Sequence, residues 1–261
     1  TWKRISEHGL RSILERHHPE FQAYFTKFHY AHRVHYDLMF QVGVLGAMPM
    51  EGEEVLSKYS TSRDDLVGLT ELAERLYMEA VEEFGVFGDK VVDYLNPRLA
   101  DVEMAKHKCD WSRVRLRLQG YASFLDEAGF GDMIGYLRAY QVKLHALRAY
   151  EYLLRAPDPA DPTAEFDKEF ALALQAAQDG IAIHQKYGNV FGELRCRMLH
   201  SVLGFPQKPS ESRGSLKAQL ETCTEMNFKR EEQVIRLLLT TAKLTIVDMI
   251  DILRYYPIIH Q

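Results

Sequence analysis

The chain has 261 residues, 46% of them hydrophobic and 26% charged, and a formal net charge of −5. These values are typical of a globular protein and exclude a chain that stays disordered for lack of apolar side chains. The negative charge excludes a general electrostatic attraction to nucleic acid or anionic membranes. Residues 38–50, the longest nearly uncharged run, contain glycines and Pro49 and are too short to span a bilayer.

The cysteines indicate the compartment. Cys109, Cys196 and Cys223 are odd in number and far apart, without a C-x-x-C pair. This usage favours a reducing environment over a disulfide framework or a cysteine zinc site. We therefore expect an intracellular protein, with the cytoplasm favoured. No signal peptide is predicted, because no apolar stretch follows residues 1–4, but import into an organelle after removal of a leader stays open.

The first part of the chain is predicted to be helical. Apolar residues recur at steps of three and four over residues 20–45 and 64–84, which predicts two helices. The aromatic and β-branched content of the first segment would also suit strands. Prolines, including Pro97, are expected to lie between elements rather than within them. We assign residues 1–105 to an N-terminal helical region.

The second half repeats one pattern: a helix with an apolar stripe, a short turn containing Gly or Asn, and another helix. Its three copies centre on residues 125–137, 183–194 and 223–235. Asp110 is predicted to cap the first helix and Gly129 to end it. Residues 207–215 are predicted to form a polar loop, and residues 246–255 a last short helix.

The middle copy, residues 171–204, carries a family resemblance. The small residues at the positions where its two helices touch are Ala173, Ala176 and Ala177. Gly188 turns the chain, and Gly192 and Glu193 precede the second helix, a pattern that resembles a tetratricopeptide-type repeat. The flanking copies share its rhythm alone. The resemblance implies an all-α fold in which antiparallel helical hairpins stack as a tetratricopeptide-like α-solenoid over residues 106–261; a compact helical bundle is the alternative.

Stacked hairpins predict a binding function. One hairpin cannot bury its apolar stripe alone, whereas several stacked hairpins bury a core and leave a groove. The chain contains no nucleotide-binding glycine motif or G-x-S-x-G. We therefore expect a non-catalytic scaffold, adaptor or structural subunit that binds a peptide or helix, without a cofactor. The candidate partner-binding residues are Tyr140, Arg148, Tyr152 and Arg155.

A histidine cluster supports an alternative, enzymatic function. The stretch HYAHRVHYDL (29–38), with GVL at 43–45, resembles the opening motif of the phosphoesterase domain attached to bacterial DNA-repair ligases. The resemblance implies a divalent-metal site whose ligands are His29, His35 and Asp37. The family's next acidic residue is replaced by Gln41, and the family's domain is a small β-barrel. His35 also lies in an apolar stripe, which favours a buried structural histidine.

One basic cluster suggests a less favoured partner. Its members are Lys106, Lys108, Arg113, Arg115 and Arg117, and Trp111 lies among them. On a helix Arg113 and Arg117 share a face, whereas Arg115 points elsewhere. Clustered cations next to an aromatic residue suit nucleic acid or an acidic peptide. The alternative is an exposed basic start of a helix beside a buried tryptophan.

Overall fold

The structure, a computed structural model, describes residues 20–39, 66–84, 89–106, 108–155, 164–240, 246–256 and Ile258. Within these ranges the chain is helical and contains no strand, which confirms the all-α prediction. None of the described helices is both long and apolar enough to cross a membrane.

The described ranges contain ten α-helices. They are α1 (Glu20–Arg33), α2 (Leu66–Phe84), α3 (Asp89–Ala105), α4 (Trp111–Ala128), α5 (Ile134–Arg155), α6 (Ala164–Lys186), α7 (Val190–Gly204), α8 (Pro209–Met226), α9 (Lys229–Thr240) and α10 (Ile246–Tyr255). Helix α1 continues directly into a π-helical turn, Val34–Leu38. The predicted helix over residues 20–45 is thus helical through residue 39, and its remaining residues lie outside the described part. The last predicted helix, over residues 246–255, is confirmed.

Local signals set several helix ends. The Asp110 side chain accepts hydrogen bonds from the N–H groups of Ser112 and Arg113, at 3.0 and 3.1 Å, and so caps α4 as predicted. Gly129 ends that helix with a φ of 67°, in the left-handed region that glycine adopts at little cost. Asn227 ends α8 in the same conformation, with a φ of 59°. The helix–turn–helix pattern of the second half is therefore observed.

Two predictions about prolines and loops were wrong. Pro97 lies inside α3, although it was expected between elements. A proline within a helix removes one main-chain hydrogen bond, and here the residue is buried among neighbouring helices, whose packing outweighs the lost bond. Residues 209–215 belong to α8 and not to a polar loop, because Pro209 starts the helix at a position where its missing N–H and fixed φ cost nothing.

Helices that follow one another in the chain make most of the packing contacts, and the contact between α5 and α6 is the most extensive. Alternate helices also touch, α3 with α5 and α5 with α7. Helix α10 returns from the end of the described chain to contact α3, α5 and α7. The tetratricopeptide-like stacking of hairpins stays a prediction.

A buried histidine joins α5, α6 and α7. His184 of α6 is fully buried, and its ring lies against Gly135 of α5 and Gly192 of α7. A Cβ added to Gly135 would lie 2.5 Å from the ring, and one added to Gly192 would lie closer still. The Tyr136 ring meets the histidine edge-on, with centroids 4.8 Å apart. The two glycines therefore make the space that the histidine ring occupies.

This packing predicts that substitution of glycine by alanine lowers the free energy of unfolding at two positions and raises it at a third. We expect Gly135→Ala and Gly192→Ala each to lower the free energy of unfolding by about 1–3 kcal/mol, because the new methyl group overlaps the His184 ring. Gly214→Ala is the matched control. Gly214 lies in α8 with no atom near its Cβ position, so the better helix propensity of alanine should raise stability by about 0.5–1 kcal/mol. Urea denaturation followed by circular dichroism measures all three, and equal effects would contradict the packing described.

His184 also predicts a dependence of stability on pH. Burial lowers the pKa of His184 from 6.5 to about 4, against smaller opposing effects of Glu193 and the Gly135 carbonyl. The folded state therefore favours the neutral ring. Its contribution to stability is complete above pH 6.5 and is lost as the pH falls from 6.5 to 4. We expect Tm to decrease over this range in thermal melts.

A non-titrating variant isolates the contribution of this residue. Burial also lowers the pKa of His32, to about 3, so some loss of stability in acid will persist without His184. We expect the decrease of Tm between pH 6.5 and 4 to be shallower in His184→Gln than in the wild type. Parallel curves for the two proteins would refute the assignment.

Candidate functional site

The last described segment, residues 246–258, is enclosed by helices from the rest of the chain. Seven of the ten residues of α10 are apolar, as expected for a helix with much of its circumference buried. Its buried apolar side chains are Met249, Ile250, Ile252, Leu253 and Tyr255. The Tyr150 hydroxyl of α5 also lies 3.8 Å from the sulfur of Met249. Apolar burial therefore supplies the main attraction that holds this segment in place.

Beyond α10, side chains from three earlier elements bind the main chain of Ile258. The Ile258 carbonyl accepts hydrogen bonds from the hydroxyls of Tyr36, at 3.2 Å, and Tyr140, at 2.9 Å. The Ile258 N–H donates to Asp101 Oδ2 at 3.2 Å. Because both main-chain groups of this residue are recognised, its position is fixed independently of its own side chain.

Asp101 of α3 lies at the centre of these contacts. It is fully buried, and Lys143 of α5 donates a hydrogen bond to its Oδ1. The same ammonium group donates to the Tyr256 carbonyl at 3.2 Å. Burial alone would raise the pKa of Asp101, but the charge of Lys143 and the hydrogen bond from His35 together lower the pKa to about 2. The carboxylate is therefore ionised at neutral pH and requires its donors.

The third donor to Asp101 is a histidine from the π-helical turn. His35 Nε2 lies 3.3 Å from Asp101 Oδ2, and the Tyr77 hydroxyl lies 3.5 Å from Nδ1. Burial lowers the pKa of His35 in spite of the nearby carboxylate, which favours a neutral ring that donates from Nε2. The ring stacks on Tyr36 with centroids 4.5 Å apart. The wider π-helical turn thus carries two adjacent residues that both face the core.

The side chain of Tyr256 is held by a second ion pair. Arg195 Nε of α7 donates to the Tyr256 hydroxyl at 3.0 Å, and that hydroxyl donates to Glu231 Oε1 of α9 at 3.2 Å. Arg195 and Glu231 also pair directly at 3.4 Å. The guanidinium carbon lies 5.0 Å from the ring centroids of both Tyr256 and Phe191. A buried arginine with such contacts is charged, hydrogen-bonded and held in one orientation.

These residues form one cluster around the segment. We name it the tail-binding cluster; its members are Tyr36, Asp101, Tyr140, Lys143, Arg195 and Glu231. All six are almost completely buried. Two carboxylates face two cations, so the charges within the cluster balance.

The structure brings one of the four predicted partner-binding residues into this cluster. Tyr140 belongs to it, whereas Arg148 pairs with Glu169 at 2.5 Å and donates to the Tyr152 hydroxyl at 3.3 Å. Arg155 is 75% exposed and pairs with Glu151 across one helical turn. Arg148 and Tyr152 are therefore engaged with a different part of the molecule, at the contact with α6.

The predicted metal ligands differ in environment. His29 is exposed, whereas His35 is buried and contacts Asp101. The side chain of Asp37 lies outside the described residues. Among the side chains that are described, no group of three or more His, Cys, Asp or Glu residues is placed to hold a metal ion. The phosphoesterase alternative stays a prediction.

The basic cluster is partly neutralised by acidic residues. Lys106 Nζ lies 2.7 Å from both Glu74 and Glu103, and Arg113 lies within 4 Å of the same two carboxylates. Burial lowers the pKa of Arg117. Lys108 is exposed at the edge of a cavity of about 390 Å³ between α2, the end of α3 and α10. These pairs reduce the positive field available to nucleic acid.

Sequence reasoning missed most of the tail-binding cluster, although one signal for it exists. Lys143 follows Tyr136 and Tyr140 and precedes Leu147 at steps of four, three and four, so all four share one helical face. A charged residue on an otherwise apolar face indicates a buried ion that needs a partner. The partner itself, Asp101, is 42 residues away and carries no such local signal.

Comparisons of the chain with protein-family models, with curated proteins and with solved structures found no match. The geometry alone therefore defines the class: within the described residues, an all-α chain in which a buried polar cluster encloses residues 246–258.

The buried ion pair predicts a large, non-additive effect on stability. We expect Lys143→Met to lower the free energy of unfolding by about 3–5 kcal/mol, because it leaves the Asp101 carboxylate buried without its main cation. The double variant with Asp101→Leu should recover part of this loss, since no uncompensated charge remains. Lys208→Met is the control, because Lys208 pairs with Glu211 at the surface and should lose nothing measurable. Urea denaturation of the wild type, the single variants Lys143→Met and Asp101→Leu, the double variant and the control measures the coupling, and strictly additive losses would argue against it.

Proposed function

We propose that this protein is a non-catalytic scaffold or adaptor whose helical hairpins hold a peptide or helix from a protein partner. One observation supports this function above all. The surface of α3, α5 and α7 already holds a short helix, and side chains of α3 and α5 form hydrogen bonds to the main chain of the residues that follow it. Main-chain recognition does not require one particular sequence, so the same groups suit other peptides.

The packing of the helices is consistent with this role. In a stack of antiparallel hairpins, alternate helices share one face and form a continuous surface. The contacts of α3 with α5 and of α5 with α7 fit such a stack, as does the position of α10 against all three. The proposal therefore includes the tetratricopeptide-like arrangement that the resemblance implies.

The position of the acid–base groups favours binding over catalysis. Asp101 and His35 are the kind of pair that general acid–base chemistry uses. Both are buried, and the oxygens of Asp101 accept from Lys143, His35 and the Ile258 N–H. A substrate would have to displace the final segment before it reached either group.

Exposed apolar side chains at the turns favour a related role, as a structural subunit of a larger assembly. Phe130, Tyr187 and Met226 are each more than 40% exposed and lie at the three turns of the second half. The first two turns are neighbours, because the Tyr187 hydroxyl lies against Gly131. Apolar groups gathered at one edge of a protein suit a contact with another protein.

A peptide-display selection on the full chain tests the proposed function. We expect 16-residue random peptides to be enriched and to bind saturably in fluorescence anisotropy, with protection from hydrogen exchange in α3, α5 and α7. Such peptides would use the apolar surface and main-chain contacts that the final segment uses. The proposal fails when no peptide is enriched, or when every enriched peptide leaves the exchange of these helices unchanged.

A further inference from the structure

We infer that the tail-binding cluster is a sequence-selective peptide site. Its ligand is a partner peptide in which a tyrosine ends a short helix and an aliphatic residue follows two positions later. The chain's own residues 246–258 occupy the site in cis. This inference rests on the proposed function and adds the chemistry of the peptide.

The cluster is complete without the segment that occupies it. Asp101 pairs with Lys143 and contacts His35, and Arg195 pairs with Glu231, all on elements other than α10. When the segment leaves, the two carboxylates and the two cations of the cluster keep these pairings. A core contact behaves differently, because removal of one partner usually strands the other. The cluster therefore has the property of a preformed receptor site.

Selectivity for tyrosine comes from the two groups around its hydroxyl. The Tyr256 hydroxyl accepts from Arg195 and donates to Glu231, and the ring lies beside the guanidinium group. A phenylalanine at this position would fit the same space but lose both hydrogen bonds to charged groups. A site built to bond a hydroxyl discriminates strongly against the analogue that lacks it.

The second position is selected by spacing. Ile258 is buried, and its N–H and carbonyl meet Asp101 and the hydroxyls of Tyr36 and Tyr140. These groups bind the main chain two residues after the tyrosine. A ligand whose tyrosine stood one residue earlier or later would place different main-chain groups against Asp101. The site thus selects peptides in which a tyrosine lies at a fixed distance from a buried aliphatic residue.

Because residues 246–258 occupy the site in cis, a substitution that weakens their binding should increase the apparent affinity of the site for an added peptide. A partner competes with a tethered segment, so its apparent affinity falls with the fraction of sites that are open. Tyr256→Phe in the chain weakens the tethered segment and leaves the tail-binding cluster unchanged. The variant should therefore bind an added peptide more tightly than the wild type. A purely structural role for Tyr256 predicts lower stability and no gain in binding.

The test uses a fluorescein-labelled synthetic peptide with the sequence of residues 246–261, IVDMIDILRYYPIIHQ, titrated with full chains. We expect the Tyr256→Phe chain to bind this peptide about 10- to 100-fold more tightly than the wild type, since two hydrogen bonds to charged groups are lost from the competitor. A peptide carrying the same substitution should bind the variant chain more weakly by a similar factor. Tyr255→Phe is the matched control. No hydrogen bond of the Tyr255 hydroxyl is present among the described residues, so this chain should bind the peptide as the wild type does.

Equal binding by the wild-type and Tyr256→Phe chains would overturn the inference. A second measurement covers the case in which the variant does not fold. A protease site inserted within residues 241–245 of the otherwise wild-type chain allows the final segment to be cut after folding. Native mass spectrometry should then show exchange of the cut segment for the labelled peptide. Retention of the cut segment in a large excess of peptide would also overturn the inference.

The remaining outcomes separate this inference from the proposed function. Concentration-dependent pairing of Tyr256→Phe chains in place of peptide binding would show that the site takes the segment of a second copy, and a separate partner would be excluded. Enriched display peptides that lack the tyrosine pattern would support the proposed function and overturn the inference. Failure of the proposed function itself differs from both, because no display peptide would then bind any chain, including the Tyr256→Phe chain.

Discussion

The position of the final segment depends on one carboxylate that has no access to water. Asp101 is ionised and fully buried, and such a group is stable only when donors surround it. Its donors come from three distant parts of the chain: His35 after α1, Lys143 in α5 and the N–H of Ile258. The last of these is 157 residues away. The start, middle and end of the described chain therefore meet at the Asp101 carboxylate.

Apolar and polar contacts have different roles in holding this segment. The apolar side chains of α10 supply a non-directional attraction that would tolerate several positions along the surface. The tail-binding cluster adds direction, because a shift by one residue would take the Ile258 N–H away from Asp101 and the Tyr256 hydroxyl away from Arg195. Buried ion pairs contribute little net stability and are better suited to selecting one arrangement. The cluster therefore determines which residues of the segment are bound. The apolar contacts of α10 determine how strongly the segment is bound.

Sequence reasoning succeeded where the cause is local and failed where it is not. Apolar spacing determines the bounds of α10, and the conformation of single residues determines the cap at Asp110 and the turn at Gly129. All three could therefore be predicted from the sequence. Helix α3 was missed because Pro97 was read as a break, although tertiary packing keeps the helix continuous. Asp101 lies in this helix and was therefore not predicted to belong to a site. Of the six members of the tail-binding cluster, only Tyr140 was predicted from the sequence, since the partners of the remaining residues lie far away in the chain.

The covalent attachment of residues 246–258 to the rest of the chain explains how one surface serves both as a core contact and as a binding site. The segment begins six positions after the last residue of α9 in the same chain, and covalent attachment over so few residues gives an effective concentration in about the millimolar range. A free peptide with identical contacts, present at micromolar concentration, is then outcompeted by a factor of about 1,000. A partner that replaces the segment must therefore make contacts beyond those of the tail-binding cluster, and the exposed turns beside α5, α6 and α7 offer one such apolar surface. The same tether keeps the buried charges of the cluster covered while no partner is present.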